Sequence, residues 1–124
     1  MKKKIETAKA PGAIGPYSQA TQVGNTVYVS GQLPVNPENG ELVSEIKAAA
    51  TQSLSNMKAI LEEAGYTMDD VTKTTVLLAN IADFAAVNEV YSQFFAAPYP
   101  ARSCFAVKDL PKGALVEIEC IAAK

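Results

Sequence analysis

Two stretches of this chain repeat their apolar residues every three or four positions, and each stands between runs that repeat every two. Ile46, Ala50, Leu54, Met57, Leu61 and Ala64 make one stripe; Phe84, Val87, Tyr91 and Phe94 make the other. That spacing places each set on one face of an α-helix. Ser44 is a good N-cap type for the first helix, and Gly65 suits the left-handed position that ends one. Asp83 is placed to cap the second, and Pro98 and Pro100 stop it. An amphipathic helix must bury its stripe against another element, and the flanking elements here are strands.

The strand pattern falls on residues 3–6, 18–23 and 26–30, with Gly24-Asn25 as a hairpin turn between the last two. A further strand covers 71–79, between the helices. Two more, 101–107 and 115–122, close the chain around Leu110-Pro111-Lys112-Gly113. The segments from Ala10 to Pro16 and from Pro34 to Gly40 carry the prolines and glycines of loops. The order is β-β-β-α-β-α-β-β. Helical crossovers favour parallel strands, so both helices are expected on one face of a single mixed sheet. No helix remains to cover the other face. If that face is apolar, a second copy of the chain is the economical cover.

Composition narrows the chemistry. At 124 residues the chain is expected to be one domain, 1–124, with an ordinary balance of 48% apolar and 19% charged residues. It has no histidine, which excludes Ser-His-Asp triads, Cys-His dyads and His-ligated metals. Two cysteines are too few for a Cys-rich zinc site or a disulfide framework, so no metal and no cofactor is expected. A net charge of −2 argues against non-specific nucleic-acid binding. No apolar run approaches the roughly 20 residues that span a bilayer. The N-terminus lacks an apolar signal core, and a cytoplasmic protein is expected.

Within the strand at 101–107, Arg102, Cys104 and Ala106 share one face, and Ser103, Phe105 and Val107 the other. Phe105 and Val107 are natural core residues, which leaves Arg102 on the opposite, open surface. Its rigid five-donor fork suits bidentate capture of a carboxylate, or else an ordinary surface ion pair. Cys104 lacks a histidine to activate it, so a lining role fits better than a nucleophilic one. In the last strand Glu117 and Glu119 oppose Val116, Ile118 and Cys120. This is either a half-exposed strand with a polar outer face, or a carboxylate brought near Arg102 and Cys104 on the helix-free face. The two cysteines are then expected to face opposite ways. Gly31, after Ser30, permits close backbone approach or makes a plain turn. Tyr17 follows Gly15-Pro16 as a core-edge aromatic or a cover over a small pocket. Asn88 lies off the second stripe and reads as solvent-facing.

Five segments together carry a resemblance. Ala10-Pro11-Gly12-Ala13-Ile14-Gly15-Pro16-Tyr17-Ser18-Gln19, Val29-Ser30-Gly31-Gln32-Leu33-Pro34, Phe84-Ala85-Ala86-Val87-Asn88-Glu89-Val90-Tyr91, Pro100-Ala101-Arg102-Ser103-Cys104 and Val116-Glu117-Ile118-Glu119 resemble the RidA/YjgF family of enamine/imine deaminases, in order and over essentially the whole chain. The resemblance implies a chorismate-mutase-like α+β fold: a six-stranded mixed sheet with two helices on one face, in a homotrimer with a central barrel and clefts between subunits. It implies hydrolytic deamination of 2-aminoacrylate-like and 2-aminocrotonate-like enamines and imines to 2-keto acids and ammonia. It implies Arg102 and Glu117 as catalytic groups, and Tyr17, Ser30, Gly31, Asn88, Arg102 and Cys104 as substrate-binding ones. The ligand is then a small 2-imino or 2-keto acid. The connection from Phe95 to Pro100 is shorter than in many members, which bears on pocket size. Endoribonuclease activity, and a non-enzymatic sensor or chaperone-like role, are the alternatives.

Overall fold

A computed structural model describes all 124 residues. Its framework is one six-stranded mixed sheet: β1 (Lys3–Ile5), β2 (Ala20–Val23), β3 (Thr26–Gln32), β4 (Val71–Leu78), β5 (Ala101–Ala106) and β6 (Val116–Ala123), in the order β1-β2-β3-β6-β4-β5. Two helices, α1 (Ile46–Glu63) and α2 (Phe84–Phe94), provide the crossovers. The first carries the chain from β3 to β4, leaving room for the antiparallel β6 between them; the second joins β4 to its parallel neighbour β5. The six strands and two helices expected from periodicity are all present, with ends shifted by one or two residues.

Local chemistry explains most boundaries. Gly24 (φ 58°) turns β2 into β3, with Val23 opposite Thr26. The N-cap of α1 is Glu45 rather than Ser44, its carboxylate accepting from the amides of Lys47 and Ala48. Gly65 (φ 81°) ends the helix as expected. Asp83 makes no side-chain cap on α2. It already has helical dihedrals, at the end of a short 3-10 turn (Ile81–Asp83) that Asn80 caps through the amide of Ala82.

Alternation in β4 and β6 sends Thr74, Val76, Leu78, Val116, Ile118, Cys120 and Ala122 to the buried side. There they meet Ala50, Leu54, Met57 and Leu61 of α1, and Val87, Val90 and Tyr91 of α2. Burying one such aliphatic side chain contributes about 1.5–3 kcal/mol, so this layer fixes the register of the central strands. The opposite face carries no helix. Val23, Tyr28 and Phe105 are exposed on it, beside half-buried Leu77 and Ile121.

Three expectations fail at β5. Arg102 lies level with Thr74, and Cys104 with Val76, so both point to the helix side rather than the open face. Phe105 pairs with Leu77 and stands 49% exposed on the helix-free face; Val107 lies beyond the strand and is only partly buried. Cys104 and Cys120 share the helix side instead of facing opposite ways. They remain free thiols, because β4 separates their strands by roughly twice the 4.8 Å strand spacing, beyond disulfide reach.

Candidate active site

The sheet carries two clusters of the expected residues, one on each face. The first lies on the helix-free side, where β3 bulges. Val29 pairs with Cys120 and Gln32 with Ile118, so Ser30 and Gly31 form an extra step against β6. The bulge lays the Gly31 backbone directly over Glu117. A methyl group built on Gly31 would sit 2.7 Å from Glu117 Oε2 and 2.8 Å from its carboxyl carbon. Glycine is what permits this close approach with Glu117 in place; no unusual φ calls for it. Ser30 is held by its own hydroxyl, which donates to the Ser18 carbonyl at 2.6 Å, and by its amide, which donates to the Gln19 carbonyl at 2.9 Å.

A cleft of about 480 Å³ opens above this floor, a size suited to a small ligand. Tyr17, Ser30, Gly31 and Glu117 line it, as do Ile14 and Lys112. Burial pushes the Glu117 carboxyl above its usual range, and the Glu119 charge on the same face adds to the shift. A carboxyl so placed exchanges a proton nearer neutrality than a solvated one does.

The second cluster lies at the far edge of the sheet, between β5 and α2. Arg102 Nη1 donates to Asn88 Oδ1 at 2.7 Å. The guanidinium carbon stands 4.9 Å from the centre of the Tyr91 ring and 5.4 Å from that of Phe84. Tyr91 is itself fixed by a 2.7 Å bond between its hydroxyl and that of Thr74. The two ion pairs of the chain, Lys4–Glu6 and Lys47–Glu89, leave Arg102 out. Arg102 is therefore no surface salt bridge. Asn88 and two rings hold its fork in place while the rest of its donors stay free. Cys104 lies beside it with its thiol pushed above the ordinary range by burial, an effect the Arg102 charge only partly opposes. That keeps the thiol protonated and weakly nucleophilic.

One chain thus brings Tyr17, Ser30, Gly31 and Glu117 together, and separately Asn88, Arg102 and Cys104. Glu117 and Arg102 do not meet, because they stand on opposite faces with β4 between their strands. The expectation of a carboxylate beside Arg102 on the helix-free face is overturned, and Asn88 is a partner of Arg102 rather than a solvent-facing residue. Sequence reasoning passed over Lys112, whose φ of 61° is the one positive value outside glycine. Its place beside Gly113 in a turn was the available signal. It also assigned no role to Phe84 or Tyr91 beyond the apolar stripe.

A family model described as Endoribonuclease L-PSP matches residues 7–124. The crystal structure of RidA from an Antarctic Psychrobacter superposes with a TM-score of 0.96 at 51% identity, covering 98% of this chain and 99% of that one. The chain belongs to the RidA/YjgF family. Within it, the human 2-iminobutanoate/2-iminopropanoate deaminase is 52% identical over 123 residues, which is 98% of this chain and 90% of that protein. Escherichia coli TdcF, solved with bound serine, shares 49% identity with a TM-score of 0.95 over 98% of each chain. The RidA fold and the whole-chain resemblance therefore agree.

Proposed function

We propose that this protein hydrolyses reactive 2-imino and 2-enamine carboxylates to 2-keto acids and ammonia, in intersubunit sites of a homotrimer. The observation that carries this reading is the state of Arg102. Its guanidinium is oriented by Asn88, Tyr91 and Phe84, and no carboxylate of the chain occupies it. A charge-assisted bidentate pair with a substrate carboxylate contributes about 1.5–3 kcal/mol and fixes the neighbouring carbon. The names of the human and Escherichia coli relatives support the imine substrate class. The serine bound to TdcF supports a small amino-acid-like ligand.

The mechanism needs little from the protein. The enamine tautomerises to an imine, whose protonated form is already a strong electrophile. Water adds to the imine carbon and gives up a proton; the nitrogen takes one up and leaves as ammonia, and the carbonyl forms. Arg102 anchors the carboxylate. Glu117 holds the water and carries the proton between oxygen and nitrogen, a task that its raised pKa suits. Backbone groups near Gly31 and Cys104 hold the substrate, and Tyr17 covers it. Glu117 and Arg102 join in one site only if a second chain lays its β5 edge against the cleft of the first. The exposed Val23, Tyr28 and Phe105 on the helix-free face suit burial by another copy.

The description of the family model raises endoribonuclease activity as the rival. A chain without histidine and with net charge −2 is poorly equipped for it. The test is ammonia and keto-acid release from 2-aminoacrylate generated in a coupled assay. Arg102→Ala is expected to abolish release while the oligomer stays intact by light scattering. Unchanged release in the variant would refute the assignment, and RNA cleavage surviving it in highly purified protein would favour the rival.

A further inference from the structure

One wall of the cleft over Glu117 is irregular chain. The loop between β1 and β2 carries Pro11, Ile14 and Tyr17 to the mouth. A loop keeps one shape only where its backbone polar groups find partners. From Thr7 to Pro16 this loop makes no backbone–backbone hydrogen bond to the rest of the chain. Its one such bond is local, from the Tyr17 amide to the Gly15 carbonyl at 2.9 Å. The turn at Thr7 adds only a local bond from the Lys9 amide to the Thr7 hydroxyl.

Ala10 is buried in the core, and the loop's backbone polar groups are held by one side chain. Gln19 is 3% exposed. Its Oε1 accepts from the Thr7 amide at 2.7 Å. Its Nε2 reaches the carbonyls of Thr7, Ala10 and Pro11 at 3.1, 3.2 and 2.8 Å. The backbone of the same residue is tied to the cleft floor, because the Gln19 carbonyl accepts from the Ser30 amide at 2.9 Å. Ser30 precedes the glycine that lies on Glu117. One residue therefore has its side chain in the wall and its backbone on the floor.

We propose that Gln19 is the positioning residue that joins the 7–17 loop to the β3 bulge, and so sets where Ile14 and Tyr17 stand relative to the Glu117 carboxylate. Gln19 itself lines the cleft, but both ends of its amide are engaged by the loop. It acts by holding the cover of the cleft in one place, so that the ligand does not have to order it. Loss of this joint moves the cost of ordering the loop to the binding step, where it weakens ligand affinity and raises KM while leaving the chemical step nearly unchanged. A side chain serving only the fold would instead lower stability throughout and leave KM alone.

The proposal rests on the deaminase reading only for its kinetic arm. Full-length Gln19→Met keeps the length and removes every side-chain bond; Gln19→Asn keeps the amide but shortens its reach to the loop. Backbone amide exchange is read across residues 7–17 and across α1, and 2-oxobutanoate affinity is read by calorimetry. In either variant the Thr7 amide, the one loop amide bonded to Gln19, is expected to exchange about tenfold or more faster, with α1 unchanged. The dissociation constant and KM should rise about tenfold, and kcat should stay within about threefold. Unaltered loop exchange overturns the proposal, as does faster loop exchange with unchanged affinity and KM. So does loss of α1 protection along with the loop in both variants, which would make Gln19 a residue of the fold alone. Wild-type protein that binds 2-oxobutanoate without ever releasing ammonia would sink the deaminase reading and leave this comparison standing. If wild-type protein does not bind the keto acid, the exchange arm decides without a ligand.

Discussion

Gly31→Ala should separate activity from stability. A methyl group at this position would stand 2.7 Å from Glu117 Oε2, against 3.4 Å for ordinary contact, so the carboxylate must retreat by about 0.7 Å. The retreat is cheap for the fold, because the displaced atoms end a flexible side chain and Gly31 has no left-handed φ to strain. Alanine also restricts the unfolded chain, worth about 0.4–1 kcal/mol in favour of the variant. Net stability should change by less than about 1 kcal/mol, or a few degrees in Tm. For the proposed chemistry the same shift is costly. Misplacing a reacting group by about 1 Å loses on the order of 100-fold, so kcat is expected to fall about 30- to 100-fold, or 2–3 kcal/mol in barrier. Steady-state kinetics and a thermal melt on the same preparation read both quantities. The loss should vanish in a Glu117→Ala background, where nothing remains to displace. Wild-type kcat in Gly31→Ala refutes the reasoning. A pure rise in KM that persists in Glu117→Ala would show that Gly31 serves substrate approach instead of Glu117.

The pH profile follows from the direction of the Glu117 shift. Burial raises its pKa above the usual 4.5, and activity that needs the ionised carboxylate grows as pH rises through the raised value, so the acid limb of kcat/KM should lie above pH 4.5. Glu117→Gln should remove that limb and lower kcat more than keto-acid affinity; a limb at or below 4.5 in the wild type would refute the assignment. Stability runs in the opposite sense. A carboxyl with a raised folded pKa favours folding fully below the unfolded value and loses that contribution as pH rises through the folded one, so Glu117→Gln should flatten the fall of Tm above pH 4.5. Asn56 of α1, 1% exposed, donates to the carbonyls of Leu33 and Val35, which also line the cleft. Asn56→Ala strands both, and chemical denaturation should show a loss of about 1–3 kcal/mol.

Much of the architecture was legible because periodicity reports it directly. The stripes of α1 and α2 follow from steps of three and four, and Gly24 and Gly65 sit at positive φ where a turn and a helix end were expected. What period two cannot say is which of its two sets faces the core. At β5 residue type pointed the wrong way: Phe105 is more apolar than Arg102, yet Phe105 is 49% exposed and Arg102 lies half-buried against α2. Two aromatic rings and an amide give an arginine a suitable half-buried place, and an edge strand can leave a phenylalanine for another surface to cover. The bulge was illegible for a related reason. An extra residue breaks the alternation, and nothing in Ser30-Gly31 alone distinguishes a bulge from the end of a strand. Gln19 and Asn56 were hidden because a buried amide is recognisable only once its carbonyl partners, 8–23 residues away, are in place.

The separation of Arg102 from Glu117 gives the proposed function its sharpest consequence. In one chain the two groups stand on opposite faces of the sheet, and no rotamer carries either through β4. Every proposed site must therefore combine the arginine of one copy with the carboxylate of another. Arg102→Ala chains should be inactive alone, and Glu117→Gln chains far slower than wild type. Unfolded together in equal amounts and refolded, they assemble at random in a heterologous ring. A site is intact when its arginine comes from the Glu117→Gln chain and its glutamate from the Arg102→Ala chain, which happens in about one site in four. The refolded mixture should regain about a quarter of wild-type activity, while either variant refolded alone gains none. Full inactivity of the mixture, with mixed assemblies confirmed by native mass spectrometry, would mean that both groups act from a single chain. A monomer sheet with Arg102 and Glu117 on opposite sides cannot supply that arrangement, so the result would overturn their joint role in catalysis.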